Sequence, residues 1–225
     1  IGKIPVNVKT LGPDLLSLSA HKYNGPKGAG ALWLKRGIRL STVQTGGRHE
    51  RNRRAGTENV PGLVGLGVAS ALAQGKLAES KHEFSALRDL LEEGILQKIS
   101  DTAINGQQDQ RVPNTSNISF AGVEAESLLI ALDLEGVAVS TGSACSSGTL
   151  EPSHVLRAMG LPSNRVQSSI RFSLGTGNTQ SDVDHLVNIL PAIVGRLRAL
   201  SSSSLRMDRN RRPTESDSSA SRGNR

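Results

Sequence analysis

The only thiol of this 225-residue chain, Cys145, lies in a loop of small and polar residues. The loop reads Ser-Thr-Gly-Ser-Ala-Cys-Ser-Ser-Gly-Thr over 140–149, with no large apolar residue within four positions of the cysteine. An isolated cysteine is more often a small buried hydrophobe. A glycine-containing loop just ahead of a helix instead favours an exposed thiolate nucleophile. Because no second cysteine is present to resolve a disulfide, a disulfide oxidoreductase is disfavoured.

Lys22 is the second candidate for chemistry. It follows Ser19-Ala20-His21 at the end of an apolar segment and precedes a glycine-rich turn. Most lysines are solvated surface residues, but a lysine at the end of a strand, beside a hydroxyl and an imidazole, can form a Schiff base with an aldehyde cofactor such as pyridoxal phosphate. The glycines at 25, 28 and 30 match neither the dinucleotide-binding nor the P-loop spacing, so both of those sites are excluded.

Arg171 is a charged residue inside the strand-like segment 168–173. Two interpretations stay open: a structural ion pair, or a bidentate clamp on a substrate carboxylate, which suits guanidinium geometry. No metal site is predicted, because the histidines outside the Lys22 motif lack ligand spacing with one another and with the thiol: His49, His82, His154 and His185.

The net charge of +7 does not predict a nucleic-acid-binding surface. The segment 201–225 holds six arginines against three carboxylates, so +3 of the +7 lies in a Ser/Arg-rich tail that we expect to be disordered. The basic run 48–54 is interpreted as a solvated or subunit-facing loop. Five aromatic residues (Phe 3, Trp 1, Tyr 1) are too few for a stacking platform.

Composition favours a soluble, cytoplasmic globular protein. No apolar run approaches the roughly 18 residues that a membrane span needs, and the start of the chain lacks a basic segment followed by an apolar one. A single cysteine suits a reducing compartment.

The elements that must position these residues alternate between strand and helix patterns, which indicates an α/β or α+β protein. Strands are predicted at 15–20, 29–34, 117–120, 137–139 and 168–174. Helices are predicted from Thr57 as N-cap, over 77–99, over 124–135 ending at Gly136, between Pro152 and Gly160, and from a Thr179/Asp182 capping box with a kink at Pro191.

Four ordered motifs together resemble one family. They are Leu16-Ser17-Leu18-Ser19-Ala20-His21-Lys22 with the following glycine turn, Arg54-Ala55-Gly56-Thr57-Glu58-Asn59, Gly142-Ser143-Ala144-Cys145 with Leu150 to Leu156, and Ser169-Ile170-Arg171-Phe172-Ser173. The chain, from residue 1 to about 200, is similar to the cysteine desulfurases of the iron–sulfur cluster assembly and nitrogen-fixation type. These are class V members of the fold-type I pyridoxal-phosphate enzymes.

The resemblance implies a role for each residue. Lys22 would carry the cofactor, pyridoxal 5′-phosphate, as a Schiff base, and Ser19 and His21 would contact its phosphate. Thr57 would reach the phosphate bound to the other subunit of a homodimer. Arg171 would hold the carboxylate of the substrate L-cysteine, and Cys145 would accept its sulfur as a persulfide, releasing alanine, before an iron–sulfur scaffold or another acceptor protein takes the sulfur.

The resemblance also implies the domain organisation. Residues 1–76 correspond to the C-terminal part of the large cofactor-binding domain, and residues 77–200 to a small α+β C-terminal domain. The family's upstream glycine-rich phosphate loop, the histidine that stacks on the pyridine ring and the aspartate that pairs with its nitrogen are not in this sequence. We therefore expect the chain alone to be close to inactive. The alternatives are a selenocysteine lyase and a non-catalytic half-protein that binds a sulfur-transfer partner.

Overall fold

The computed structural model of the protein describes residues 1–141 and 153–211, with side chains as far as Ser201. The chain divides into two compact units. The first comprises Ile1–Arg88 with Gln110–Asn114, and the second comprises Asp89–Asp109 with the residues from Thr115 onward. This division falls inside one continuous helix, Leu77–Lys98, whereas the sequence prediction places the domain boundary after residue 76. The predicted domain bounds, 1–76 and 77–200, stay a prediction.

The first unit contains a two-stranded antiparallel sheet and the helices around it. Its elements are α1 (Val8–Leu11), β1 (Leu15–Ser19), β2 (Gly30–Leu34), α2 (Val60–Gly75) and the first part of α3 (Leu77–Lys98). Strands β1 and β2 pair in the register Leu15↔Leu34 to Ser19↔Gly30. Both strands agree with the sequence prediction.

Helix α2 begins two residues later than predicted. Asn59 is its N-cap, and the Asn59 side-chain oxygen accepts a hydrogen bond from the Gly62 N–H at 3.1 Å. The prediction of Thr57 as N-cap is therefore wrong. A proline is favoured in the first turn of a helix, where its missing N–H is not needed, and Pro61 sets the start next to Asn59.

The second unit is a three-stranded antiparallel sheet packed on helices. The strand order is β3 (Thr102–Ile104), β4 (Thr115–Phe120) and β5 (Ser169–Ser173). The helices described in this unit are the last part of α3, α4 (Ala125–Leu134), α5 (His154–Ala158), α6 (Ser163–Gln167) and α7 (Gln180–Arg211).

One face of this sheet forms the core. Ile118, Phe120, Ile170 and Phe172 are buried on it, and the two phenylalanine rings meet edge to face at 6.5 Å between centroids. Buried aliphatic residues of the helices complete the core: Leu91, Ile95, Leu128, Leu132, Val187, Leu190 and Val194. Because side chains alternate along a strand, the residues between them point to the opposite face, which is polar.

The helix ends in this unit follow the sequence signals. Gly136 adopts a φ of +77°, as its predicted role in ending α4 requires. The Thr179/Asp182 capping box forms as predicted. The Thr179 N–H donates to the Asp182 carboxylate at 2.8 Å, and the Asp182 N–H donates to the Thr179 hydroxyl at 3.4 Å. The backbone hydrogen bond from Thr179 lowers the pKa of Asp182.

Two predicted segments differ from the structure. Residues 137–139 do not form a strand, because only Ser140 pairs with β5, in a single bridge. Helix α7 continues through Arg211, so residues 201–211 of the predicted disordered tail are helical. Once part of a helix is formed and packed, each further residue that is ordered adds one hydrogen bond, so the helix is easily extended. The rest of that predicted tail, 212–225, lies outside the described residues.

Within the described ranges, no single helix is long and apolar enough to cross a membrane. The pair α2 and α3, bent by 69°, passes that test only as a pair.

Candidate active site

Lys22 lies in a short 3-10 turn, Ala20–Tyr23, that follows β1. Since a 3-10 helix repeats every three residues, Ala20 and Tyr23 share a face, and both are buried. His21 and Lys22 fall on the other faces and are exposed. Ser19 is also exposed, and its side chain makes no hydrogen bond to cap the turn. The exposed side chains of this segment are thus the Ser19 hydroxyl, the His21 imidazole and the Lys22 amine.

Small residues bring the Lys22 turn close to helix α2. Gly65 and Ala69 lie four residues apart, on one face of α2. A Cβ atom added at Gly65 would lie 2.9 Å from the Pro26 ring. One added at Gly25 would lie 2.8 Å from the Ala20 Cβ atom and 3.1 Å from that of Ala69. The segment around Lys22 therefore packs against α2 with no room for a larger side chain.

Hydrogen bonds hold both ends of the same turn. The Ala20 N–H donates to the Ala29 carbonyl at 3.0 Å, and the Gly25 N–H donates to the Ala20 carbonyl at 2.9 Å. On the buried side, the Ser70 hydroxyl donates to the Leu66 carbonyl at 2.8 Å, and its oxygen lies 3.4 Å from the Tyr23 phenol oxygen, from which it can accept. The turn is consequently fixed to its own hairpin and to α2, while its chemical groups face outward.

Thr57 lies in the same unit, in the loop between β2 and α2. It is exposed and follows Gly56, whose φ of +108° suits glycine. The preceding segment is tied back by a hydrogen bond from the Ala55 N–H to the Gln44 carbonyl at 3.1 Å. The role of Thr57 toward a partner subunit stays a prediction.

Arg171 lies in the middle of β5, in the second unit. Its N–H donates to the Ser140 carbonyl at 2.6 Å, and its carbonyl accepts from the Ser140 N–H at 3.2 Å. Both backbone groups of a strand residue point to the same side, so Arg171 meets Asn117 of β4 across a pair without mutual backbone hydrogen bonds. In such pairs the two side chains lie close together.

The Arg171 guanidinium has no protein partner within the described residues. Its Nε is buried and lacks a hydrogen-bond acceptor there. No carboxylate of the described residues pairs with it, so the structural ion pair left open by the sequence has no support in this part of the chain. A half-buried arginine in this state is suited to bind an external anion.

A polar network beside Arg171 was not predicted from the sequence. The Asn105 side-chain N–H group donates to the Asn117 side-chain oxygen at 2.6 Å and to the Ser169 hydroxyl at 2.9 Å. The Ser169 hydroxyl donates to the Arg165 carbonyl at 2.6 Å. The signal that could have found it is the alternation of polar residues along β4 and β5, which marks a polar sheet face. By itself, the Asn105-Gly106 pair indicates only a break between elements of secondary structure.

The structure thus groups part of the predicted site. Ser19, His21 and Lys22 share one turn of the first unit, which also contains Thr57, and Arg171 belongs to the second unit. Cys145 and most of its loop, 142–152, lie outside the described residues. Over the residues that the structure does describe, no cluster of His, Cys, Asp or Glu side chains could hold a metal ion.

The chain is similar to a known protein family and to curated proteins. A family model described as aminotransferase class-V matches residues 1–186. A cysteine desulfurase of Gluconacetobacter diazotrophicus is 48% identical over 201 residues, which is 89% of this chain and 50% of that protein. The protein named cysteine desulfurase IscS of Methanosarcina thermophila is 50% identical over the same shares of the two chains. The chain therefore spans about half the length of the curated relatives it matches.

Solved structures of NifS-like proteins are also similar to this chain. A NifS-like protein is 34% identical with a TM-score of 0.79, over 88% of this chain and 50% of the other. The NifS-like protein of Rickettsia africae is also 34% identical, with a TM-score of 0.77 over 85% of this chain and 50% of the other. This likeness confirms the predicted fold class, the α/β type I fold of pyridoxal-phosphate-dependent transferases.

Proposed function

Because the chain belongs to the aminotransferase class-V family, we propose that the protein is a pyridoxal-phosphate-dependent cysteine desulfurase that converts L-cysteine to L-alanine. The observation that carries this proposal is that the Lys22 amine and the Arg171 guanidinium have no hydrogen-bond or ion-pair partner among the described residues. An amine that condenses with an aldehyde and a guanidinium that binds a carboxylate are two groups that this kind of amino-acid chemistry requires.

The residues of the Lys22 turn fit pyridoxal phosphate. Lys22 offers the amine for the aldehyde, and the exposed Ser19 hydroxyl and His21 imidazole offer donors for phosphate oxygens. Thr57 would add a hydroxyl for the phosphate bound to the other subunit. When bound, the cofactor supplies an electron sink that makes the Cα proton of the substrate acidic.

The chain's own residues would then move protons, orient the substrate and accept sulfur. Lys22 Nζ takes the Cα proton of the substrate as a general base and later returns a proton as a general acid. Arg171 holds the substrate carboxylate by two parallel hydrogen bonds. The Cys145 thiolate attacks the substrate sulfur, so that an S–S bond forms as the carbon–sulfur bond breaks. The electron pair of that bond stays on the carbon side and takes up a proton, which leaves alanine and a persulfide on Cys145.

The proposed activity belongs to the whole protein. We infer that it acts as a homodimer and passes the persulfide sulfur to an iron–sulfur scaffold or another acceptor protein. Because this chain spans about half the length of its curated relatives, we expect the 225 residues alone to show little turnover.

The test is release of sulfide and alanine from L-cysteine in the presence of a thiol reductant, on protein isolated from its source and sized by intact mass. Lys22→Ala should lower the rate by about 10²–10⁴-fold, the usual contribution of a general acid–base group. Cys145→Ser should abolish persulfide formation. Lys27→Ala is the matched control, because Lys27 is an exposed lysine of the adjacent glycine turn, and it should leave the rate unchanged.

Other results would contradict parts of the proposal. Full turnover by Cys145→Ser would show that another group accepts the sulfur. A much higher rate on selenocysteine than on cysteine would identify a selenocysteine lyase. Protein of the relatives' full length that releases neither product, yet binds a sulfur-transfer partner, would be a non-catalytic binding protein.

A further inference from the structure

Asn105, Asn117 and Arg171 form one row across the sheet of the second unit. The Asn105 N–H donates to the Asn117 carbonyl at 2.7 Å, and Asn117 lies opposite Arg171 in the register of β4 and β5. Residues in such a cross-strand row project from the same face of a sheet. The row therefore places two side-chain amides next to the guanidinium.

The direction of both amides follows from the Ser169 hydroxyl. This hydroxyl has one proton, which it donates to the Arg165 carbonyl at 2.6 Å. Its oxygen can then only accept from Asn105, which fixes the Asn105 nitrogen on that side. The same nitrogen donates to the Asn117 side-chain oxygen. The Asn117 oxygen is thus used by Asn105, and the Asn117 Nδ2 is left as a donor.

Two donors therefore lie side by side without an acceptor. The Arg171 Nε is buried and unsatisfied, as is the Asn105 Oδ1. Asn117 is half-buried, and its Nδ2 donates to no acceptor among the described residues. A buried polar group left unsatisfied costs about 1–3 kcal/mol, and such exceptions call for an explanation. A carboxylate supplies it, because its two oxygens offer about four acceptor positions and no donor.

We propose that Asn117 is a second ligand of the substrate carboxylate, donating from Nδ2 beside Arg171. We propose also that Asn105 is a positioning residue that fixes the direction of the Asn117 amide. This inference rests on the proposed function for the identity of the substrate. It adds selectivity: a primary amide in place of the carboxylate would turn an NH₂ group toward these donors, and the site would reject it.

The test uses L-alanine, the proposed product, and L-alaninamide, which differs only at the carboxyl group, in calorimetric titrations of the protein. Asn117→Ala should weaken L-alanine binding by about 10-fold to 100-fold, the effect of one hydrogen bond to a charged group. The KM for L-cysteine should rise while kcat stays within about twofold, as expected for binding shared by substrate and transition state. Asn188→Ala is the matched control, because this asparagine of the same unit accepts only a hydrogen bond from Lys98 on the surface.

Asn105→Asp tests the positioning role. An aspartate has no N–H group, so Asn117 must turn its nitrogen toward residue 105 and its oxygen toward Arg171. L-Alanine binding should then fall as in Asn117→Ala, although Asn117 is intact. The double variant should bind no more weakly than Asn117→Ala alone, because both changes remove the same donor.

Three results would overturn the inference. They are wild-type binding of L-alanine by Asn117→Ala, an equal loss of L-alanine and L-alaninamide binding, and fully additive losses in the double variant. If Asn117→Ala fails to fold, Asn117→Asp keeps the side-chain volume, and its carboxylate should pair with Arg171 and exclude L-alanine. Sulfide release is measured separately: carboxylate-selective binding without desulfuration would contradict the proposed function and leave this inference standing.

Discussion

The close packing of the Lys22 turn on α2 predicts opposite effects for two glycine-to-alanine changes in one helix. Gly65 faces Pro26, where an added Cβ atom would lie 2.9 Å from the Pro26 Cγ atom and 3.0 Å from its Cδ atom. Gly67 is two residues away on the same helix and has nothing within 4 Å of such an atom. The two variants therefore differ in packing while sharing the same change in helix propensity.

The magnitudes follow from two contributions. Alanine is favoured over glycine inside a helix by about 1 kcal/mol, so Gly67→Ala should raise the free energy of unfolding by about that amount. Gly65→Ala receives the same gain but overpacks a tight contact with a stiff proline ring, which costs typically about 1–3 kcal/mol. We expect Gly65→Ala to be the less stable variant by about 1–3 kcal/mol.

Urea unfolding followed by tryptophan fluorescence measures this difference. The chain has a single tryptophan, Trp33, and it lies on β2 in the same unit as α2. Its signal therefore reports the unit that carries the Lys22 turn. A Gly65→Ala variant as stable as Gly67→Ala would refute the reasoning that α2 and the turn are in tight contact.

Two other predictions test helix ends. Asn59→Ala should destabilise the first unit by about 1 kcal/mol in the same fluorescence assay, because it removes the cap of α2. Thr57→Ala should leave the stability of the first unit unchanged. An equal loss of stability in that variant would show that Thr57, and not Asn59, caps α2. Asp182→Asn should lower the melting temperature of the second unit at neutral pH, as followed by helical circular dichroism. The folded state lowers the pKa of Asp182 below its ordinary value of 3.8, so the ionised carboxylate stabilises the fold above that pH and loses this effect as the pH falls further. If the melting temperatures of variant and wild type differ by the same amount down to about pH 2, below the ordinary pKa of aspartate, this prediction is wrong.

Local signals in the sequence predicted most of the helices. The apolar spacing over 77–99 gives α3 to within one residue, and the Thr179/Asp182 pair marks the start of α7 because both partners of the capping box lie within one turn. Thr57 and Asn59 are both good N-caps, however. Choosing between them requires weighing the proline that follows Asn59.

Features that depend on distant pairing were not predictable in this way. Residues 137–139 have the β-branched composition of a strand but only Ser140 finds a partner, because strand formation depends on context more than on composition. The contacts of Asn105 reach 12 and 64 positions along the chain, to Asn117 and Ser169. Lys22 and Arg171 could be proposed from their motifs. That the Arg171 guanidinium has no hydrogen-bond or ion-pair partner among the described residues could be learned only from the structure.

The bridge between Ser140 and Arg171 ties the chain that leads to Cys145 to strand β5. Two backbone hydrogen bonds fix Ser140 to the strand that carries Arg171, the proposed ligand of the substrate carboxylate, and Cys145 follows five residues later in the sequence. An extended chain covers at most about 3.6 Å per residue, so a stretch of five residues reaches no further than about 18 Å from its anchor. If Cys145 accepts sulfur as proposed, the length of chain after Ser140 sets an upper limit on its distance from Arg171, and an acceptor protein has to reach the thiol within that limit.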